Sequence, residues 1–158
     1  MAEPLADQII QKVKQAAVLY HRLILVVAPS GAGKTAALQV VRDETGSPLV
    51  NVNLELSRRM LDLTERQRAL QLPILFREIA GNGGNQMILL DNIEIIFDNN
   101  LKQDPLRLLQ GLSRSKTIVA SWNGKIVDNS LTYASPDHPE YRRYPIGDFL
   151  LVSPEVTK

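Results

Sequence analysis

The sequence predicts an α/β fold: an open, parallel five-stranded sheet with helices on both faces. Three observations carry this expectation. Short apolar runs of strand length alternate with longer stretches of helical spacing. The runs are apolar on consecutive residues, as strands covered on both faces require. Glycine and proline mark many of the boundaries between them. At 158 residues and 44% hydrophobic content the chain supports one domain with a sizeable core and is short for two, so residues 1–158 read as a single domain.

Residues 1–21 read as an amphipathic helix packed on the body. Leu5, Ile9, Val13, Ala16, Ala17 and Tyr20 form one stripe, and Gln8, Gln11, Lys12 and Lys14 face water. Its acids and amides interrupt any apolar core of signal-peptide type, so no export signal is expected. "LILVVA", residues 23–28, is the first strand and the longest apolar run, far short of a bilayer span. A helix follows from Gly33 to Thr45, stopped by Gly46, and then "PLVNVNLEL" as a second strand. Residues 57–80 have helical spacing with a break expected near Pro73, and "GNGG", Gly81 to Gly84, ends the helix. The third strand is Gln86 to Asp91. Asp104 caps a helix running to Ser113, with Pro105 in its first turn. "KTIVASW" is the fourth strand and "FLLVS", Phe149 to Ser153, the fifth.

Composition excludes more than it names. Eighteen Lys plus Arg against seventeen Asp plus Glu give a net charge of +1, which supports neither a DNA contact nor an anionic membrane surface. The absence of cysteine rules out disulfides and thiolate metal sites and suits a cytoplasmic location. His21 and His138 are well separated, which argues against a histidine-based metal centre.

The stretch "APSGAGKT", Ala28 to Thr35, between a strand and a helix, has the spacing of a phosphate-binding P-loop, with Ala28 in place of the first glycine. Gly31 and Gly33 let successive N–H groups turn inward, and the helix that follows adds its positive end. The phosphate-binding set is therefore Ser30, Gly31, Ala32, Gly33, Lys34, Thr35 and Ala36. Lys34 reaches the β and γ phosphates of a nucleotide, and Thr35 gives its hydroxyl to Mg²⁺. The pattern arises by chance in about one chain in a hundred of this length, and its strand-loop-helix context lowers that further. "MILLDNIE" then ends an apolar strand in Asp91, a second ligand for Mg²⁺ at the carboxyl end of the sheet. Taken alone, Asp91 would serve equally well to start a turn or cap the next helix.

These motifs, followed by "TIVASWNG" with Ser121 and Asn123 at the strand end, resemble the core of AAA+ ATPases. The resemblance implies ATP as nucleotide and Asn123 as the polar residue that senses the γ-phosphate and helps position water. Over nearly the whole chain, "VVAPSGAGKT", "ILLDNIEIIFD" and "IVASWNG" resemble the BrxF family of small P-loop proteins of type 3 BREX phage-defence systems. That resemblance implies an ATPase, ATP and Mg²⁺ as ligands, a homo-oligomer, and other defence-system proteins as partners.

Two departures from the AAA+ pattern matter. The residue after Asp91 is Asn92 rather than the usual water-polarising glutamate, and an amide orients water without taking its proton. Glu94 reaches the site if the chain turns helical after the strand; otherwise it is a solvated acid. The sequence also runs only a few residues past the fifth strand, so no helical lid is expected and hydrolysis should be slow or partner-dependent. Arg142 and Arg143, in the turn-rich "SPDHPEYRRYP", lie where AAA+ subunits often place a finger that reaches a neighbour; the alternative is an ordinary surface pair. "RRMLDLTERQRALQ", Arg58 to Gln71, reads as a solvated face, with a nucleic-acid or partner surface as the alternative. Trp122 packs beside the site or against a neighbour, with adenine stacking an unforced option. Two further functions stay open: a small-molecule kinase with a basic lid near Tyr141, and a nucleotide-binding scaffold without turnover.

Overall fold

The computed structural model describes residues 4–81 and 86–154. In chain order the elements are α1 Leu5–Ala16, β1 Leu23–Ala28, α2 Lys34–Thr45, β2 Leu49–Asn51, α3 Val52–Met60, α4 Glu65–Ile79 and β3 Met87–Asp91. Two 3-10 turns follow, Glu94–Phe97 and Asn99–Leu101, then α5 Pro105–Leu112, β4 Thr117–Val127, β5 Ser130–Tyr133, β6 Arg142–Pro145 and β7 Leu150–Val152.

Five strands form a parallel path in the order β2-β3-β4-β1-β7; β5 then pairs antiparallel with β4, and β6 antiparallel with β5, giving a seven-stranded sheet. Strand alternation sorts β1 between two cores. Leu23, Leu25 and Val27 pack with α3, α4 and α5 through Leu56, Phe76 and Leu109. Ile24 and Val26 pack with α1 and α2 through Ile9, Leu38 and Val41. Both faces are thus covered by helices, as the apolar strands require.

Several expected boundaries shift, each for a local reason. α1 ends at Ala16, where the Leu19 N–H turns back to the Ala16 carbonyl. Leu19 then takes the inward place, Ala6 joins the buried stripe, and Ala17 and Tyr20 are exposed. β2 stops at Asn51 because the Asn51 side chain accepts from the Leu54 N–H and caps α3, whose Val52, Leu56 and Met60 are buried one turn apart. The helical stretch breaks at Leu61–Thr64 instead of at Pro73. There Thr64 and Gln67 form a reciprocal capping box that starts α4. α4 runs through Pro73, which has no N–H for the Ala69 carbonyl; the Gln103 side-chain amide donates to that carbonyl instead, at 2.9 Å. Of the expected stop at Gly81–Gly84, residues 82–84 lie outside the described residues.

The largest addition is the antiparallel ribbon. β4 continues past Trp122 for five more residues to Val127, then turns through Asp128 and Asn129, both with positive φ, into β5. That is the conformation of a two-residue type I′ hairpin, which suits Asp and Asn.

Candidate functional site

β4 lies between β1 and β3, so the carboxyl ends of three parallel strands open side by side. Ala28 pairs with Asn123, and one residue beyond the Leu90–Ala120 pair stand Asp91 and Ser121. This edge of the sheet carries the cleft.

The loop from Pro29 to Gly33 forms one wall. Gly31 and Gly33 have φ of 82° and 90°, a region that disfavours any side chain, and the Ala32 N–H donates to the Pro29 carbonyl at 3.3 Å. α2 begins at Lys34 with no side-chain cap, so the N–H groups of its first turn and its positive end face the cleft. Lys34 is 6% exposed, and its Nζ donates to the carbonyls of Ala28 at 2.9 Å and Pro29 at 2.7 Å. Burial pulls the Lys34 pKa below its ordinary value, opposed by the nearby Glu94 and Asp91 carboxylates.

Thr35, one residue on, donates its hydroxyl proton to Asp91 Oδ2 at 2.6 Å. That bond leaves the lone pairs of Thr35 Oγ1 for another partner. Asp91 is itself 5% exposed at the end of β3. One hydroxyl and one carboxylate make a hard-oxygen pair, and among the described residues no cluster of three acids or histidines forms a self-sufficient metal cage. Such a pair suits Mg²⁺, which binds through one or two protein oxygens together with phosphate oxygens and water.

Asn92 adopts φ of 52°, a left-handed conformation that asparagine tolerates. The chain therefore reverses directly after Asp91, and the 3-10 turn that opens at Glu94 brings that carboxylate into the lining of the cleft. Glu94, not residue 92, is the acid beside Asp91. Burial raises the Glu94 pKa above the usual carboxylate value; a hydrogen bond from Asn53 lowers it and the Asp91 charge raises it again.

Asn53 was not singled out from the sequence. It lies at the start of α3 and clamps the turn at three points. Its Nδ2 donates to Glu94 Oε1 at 3.2 Å, its Oδ1 accepts from the Ile95 N–H at 2.8 Å, and its own N–H donates to the Asn92 carbonyl at 2.8 Å. Reading "NVNLEL" as a strand hid it; recognising Asn51 as a helix cap would have placed it near the end of β3.

The remaining candidates separate. Ser30, Ser121 and Asn123 line the cleft with Lys34, Thr35 and Asp91, whereas Ala32 and Ala36 are not among its lining residues. Trp122 alternates to the opposite face of β4, where it is fully buried among Phe97, Tyr133 and Tyr144 and donates to the Thr132 carbonyl at 3.0 Å. It is a core residue and cannot stack on adenine. Arg142 and Arg143 do not line the cleft of their own chain. Arg142 is turned inward on β6 and donates to the Gln103 carbonyl at 3.4 Å, while Arg143 is exposed on the outer face.

The arrangement can hold a tetrahedral oxyanion on backbone N–H groups and a buried ammonium, place a hard cation beside it, and present a carboxylate and an amide to water at its edge. Compared with known proteins, the chain matches no family model and no curated sequence.

Proposed function

We propose that the chain is a Mg²⁺-dependent ATPase of the P-loop class with an AAA+-like core, acting as an oligomer in the cytoplasm within a BrxF-type phage-defence system. The observation that carries the catalytic part is the convergence of Lys34, the Thr35–Asp91 pair, Glu94 and Asn123 on one cleft, from three separate stretches of sequence. The choice of ATP and the defence setting rest on the resemblance of "VVAPSGAGKT", "ILLDNIEIIFD" and "IVASWNG" to that family.

In this reading the first-turn N–H groups of α2 and the Lys34 ammonium hold the β and γ phosphates. Thr35 and Asp91 would hold Mg²⁺, which would supply charge neutralisation on the phosphate oxygens. Glu94 accepts the proton of the attacking water, with Asn53 fixing its direction, and Asn123 orients that water against the γ-phosphate. Among the described residues Lys34 is the single cation in the lining, so charge developing on the transferred group has little cationic support from them and turnover is slow. A second copy or a partner that brings a cation accelerates it. The small-molecule kinase reading has less support, because the arginines near Tyr141 are not over the cleft: Arg142 is tied to Gln103 and Arg143 points outward.

The test is ATP consumption by the purified chain with no acceptor present, alone and then with the other proteins of its defence system. Slow phosphate release that rises on adding them supports the proposal. Consumption that appears only when a phosphate acceptor is supplied favours a kinase, and tight binding without release favours a scaffold.

A further inference from the structure

The antiparallel ribbon of β4, β5 and β6 has two unlike faces. Its inner face carries Ile126, Leu131 and Tyr144, packed on the core beside Trp122. Its outer face carries a cross-strand row formed by Lys125, Thr132 and Arg143, with Val127 in the next row toward the turn. Tyr141, immediately before β6, completes a groove with them.

The charges in this groove are of one sign. Lys125 and Arg143 are exposed, and none of the ion pairs among the described residues involves them. Among the described residues no carboxylate lines the groove, and Asp137 at its edge is held by the Ser135 hydroxyl at 2.7 Å. Two cations separated by one intervening strand stand about 10 Å apart, close enough for both side chains to reach a phosphate backbone lying between them. A sheet-lined groove with an aromatic ring beside paired cations suits unpaired bases and an extended backbone, whereas duplex readout needs an element that projects into the duplex groove.

We infer that this face binds single-stranded nucleic acid, with Lys125 and Arg143 on backbone phosphates and Tyr141 stacked against a base. Ser121, Asn123 and Lys125 alternate onto one side of β4, so the face begins about 7 Å beyond the end of the phosphate cleft. With a net charge of only +1, affinity comes from this local pair and falls quickly with salt. Binding here needs no nucleotide in the cleft, so it stands or falls separately from the ATPase reading.

The experiment is fluorescence anisotropy of short labelled single-stranded DNA, single-stranded RNA and the matching DNA duplex with the full chain, without ATP, from about 50 to about 200 mM salt. Single strands should bind more tightly than duplex, with a log–log salt slope near −1.4, from about −0.7 for each of two phosphates. Lys125→Glu with Arg143→Glu should weaken binding at least about tenfold, and Tyr141→Leu about fivefold or more. Lys12→Glu with Lys14→Glu on α1, the same change of charge elsewhere, should leave binding unaltered. Four outcomes would overturn the proposal: no binding at tens of micromolar, equal binding of duplex, equal loss in the α1 variant, or binding unchanged in the variant with Lys125→Glu and Arg143→Glu.

Discussion

At the scale of single residues, the position of one asparagine decides which acid serves the cleft. Asn92 turns the chain through a left-handed conformation, so the carboxylate three residues after Asp91, and not the residue next to it, comes to the lining. Glu94→Gln should keep ATP affinity and lose turnover by at least about a hundredfold, since the amide keeps the shape but accepts no proton. Single-turnover phosphate release measures this, and wild-type release in the variant would move the role to Asn123 or to a partner. The Glu94 pKa adds a pH test. Burial raises it, so the native fold disfavours the ionised form; the stability tied to the neutral acid is present at low pH and is lost as pH rises through the raised value. In the proposed reaction activity runs the other way, because Glu94 must be ionised to take the proton: the acid limb of turnover should lie above the usual glutamate range. Asn53→Ala removes the hydrogen bond that lowers this pKa, and should move the acid limb to still higher pH while ATP affinity holds. An unmoved limb would make Asn53 merely a packing residue of α3.

At the scale of elements, two close arrangements make predictions about stability. Gln103 stands in for the N–H that Pro73 lacks, so Gln103→Ala should cost about 1 kcal/mol by leaving the Ala69 carbonyl without its donor. In a Pro73→Ala background, where a backbone N–H is available, the same change should cost much less; equal losses in both backgrounds, read by denaturant unfolding, would contradict the substitution of one donor for another. At Gly124 a Cβ would run into the carbonyl of Thr132 and crowd Trp122 Nε1, so Gly124→Ala should cost about 2 kcal/mol or more and loosen the ribbon. These elements also mark how far the sequence was legible. β1, α2, β3 and α5 were readable because their signals are local: an unbroken apolar run, Gly46 as a stop, Asp104 followed by Pro105 as a start. The loop from Ser30 to Thr35 and Asp91 were readable for the same reason. Asn53 and the inward tie of Arg142 to Gln103 were not, because each depends on an element whose type was decided by longer-range packing. "VNVNLEL" alternates like a strand, yet Asn51 caps it into a helix, and the Asp128–Asn129 turn lacks the glycine that most often marks a two-residue hairpin.

At the scale of the whole molecule, the sheet order joins sites that sequence leaves far apart. Insertion of β4 between β1 and β3 sets Asn123 between the Pro29–Gly33 loop and the Asp91–Glu94 turn, and the same strand runs on into the ribbon that carries Lys125. Packing on both faces holds the three strand ends rigid, so substitutions in the cleft should change ligand binding without unfolding the chain. Lys34→Ala should abolish the rise in unfolding temperature caused by ATP and Mg²⁺ while the ligand-free protein stays folded; an unchanged rise would remove Lys34 from the phosphates. The most direct test of the central claim is a single-turnover experiment with protein in excess over ATP labelled at its γ-phosphate, following bound ATP and released phosphate together. The wild-type chain with Mg²⁺ should bind the ATP and release phosphate slowly, Glu94→Gln should hold intact ATP, and Lys34→Ala should hold none. ATP left unbound by the wild-type chain, or released as phosphate equally fast by all three, would contradict the assignment of this cleft to ATP hydrolysis.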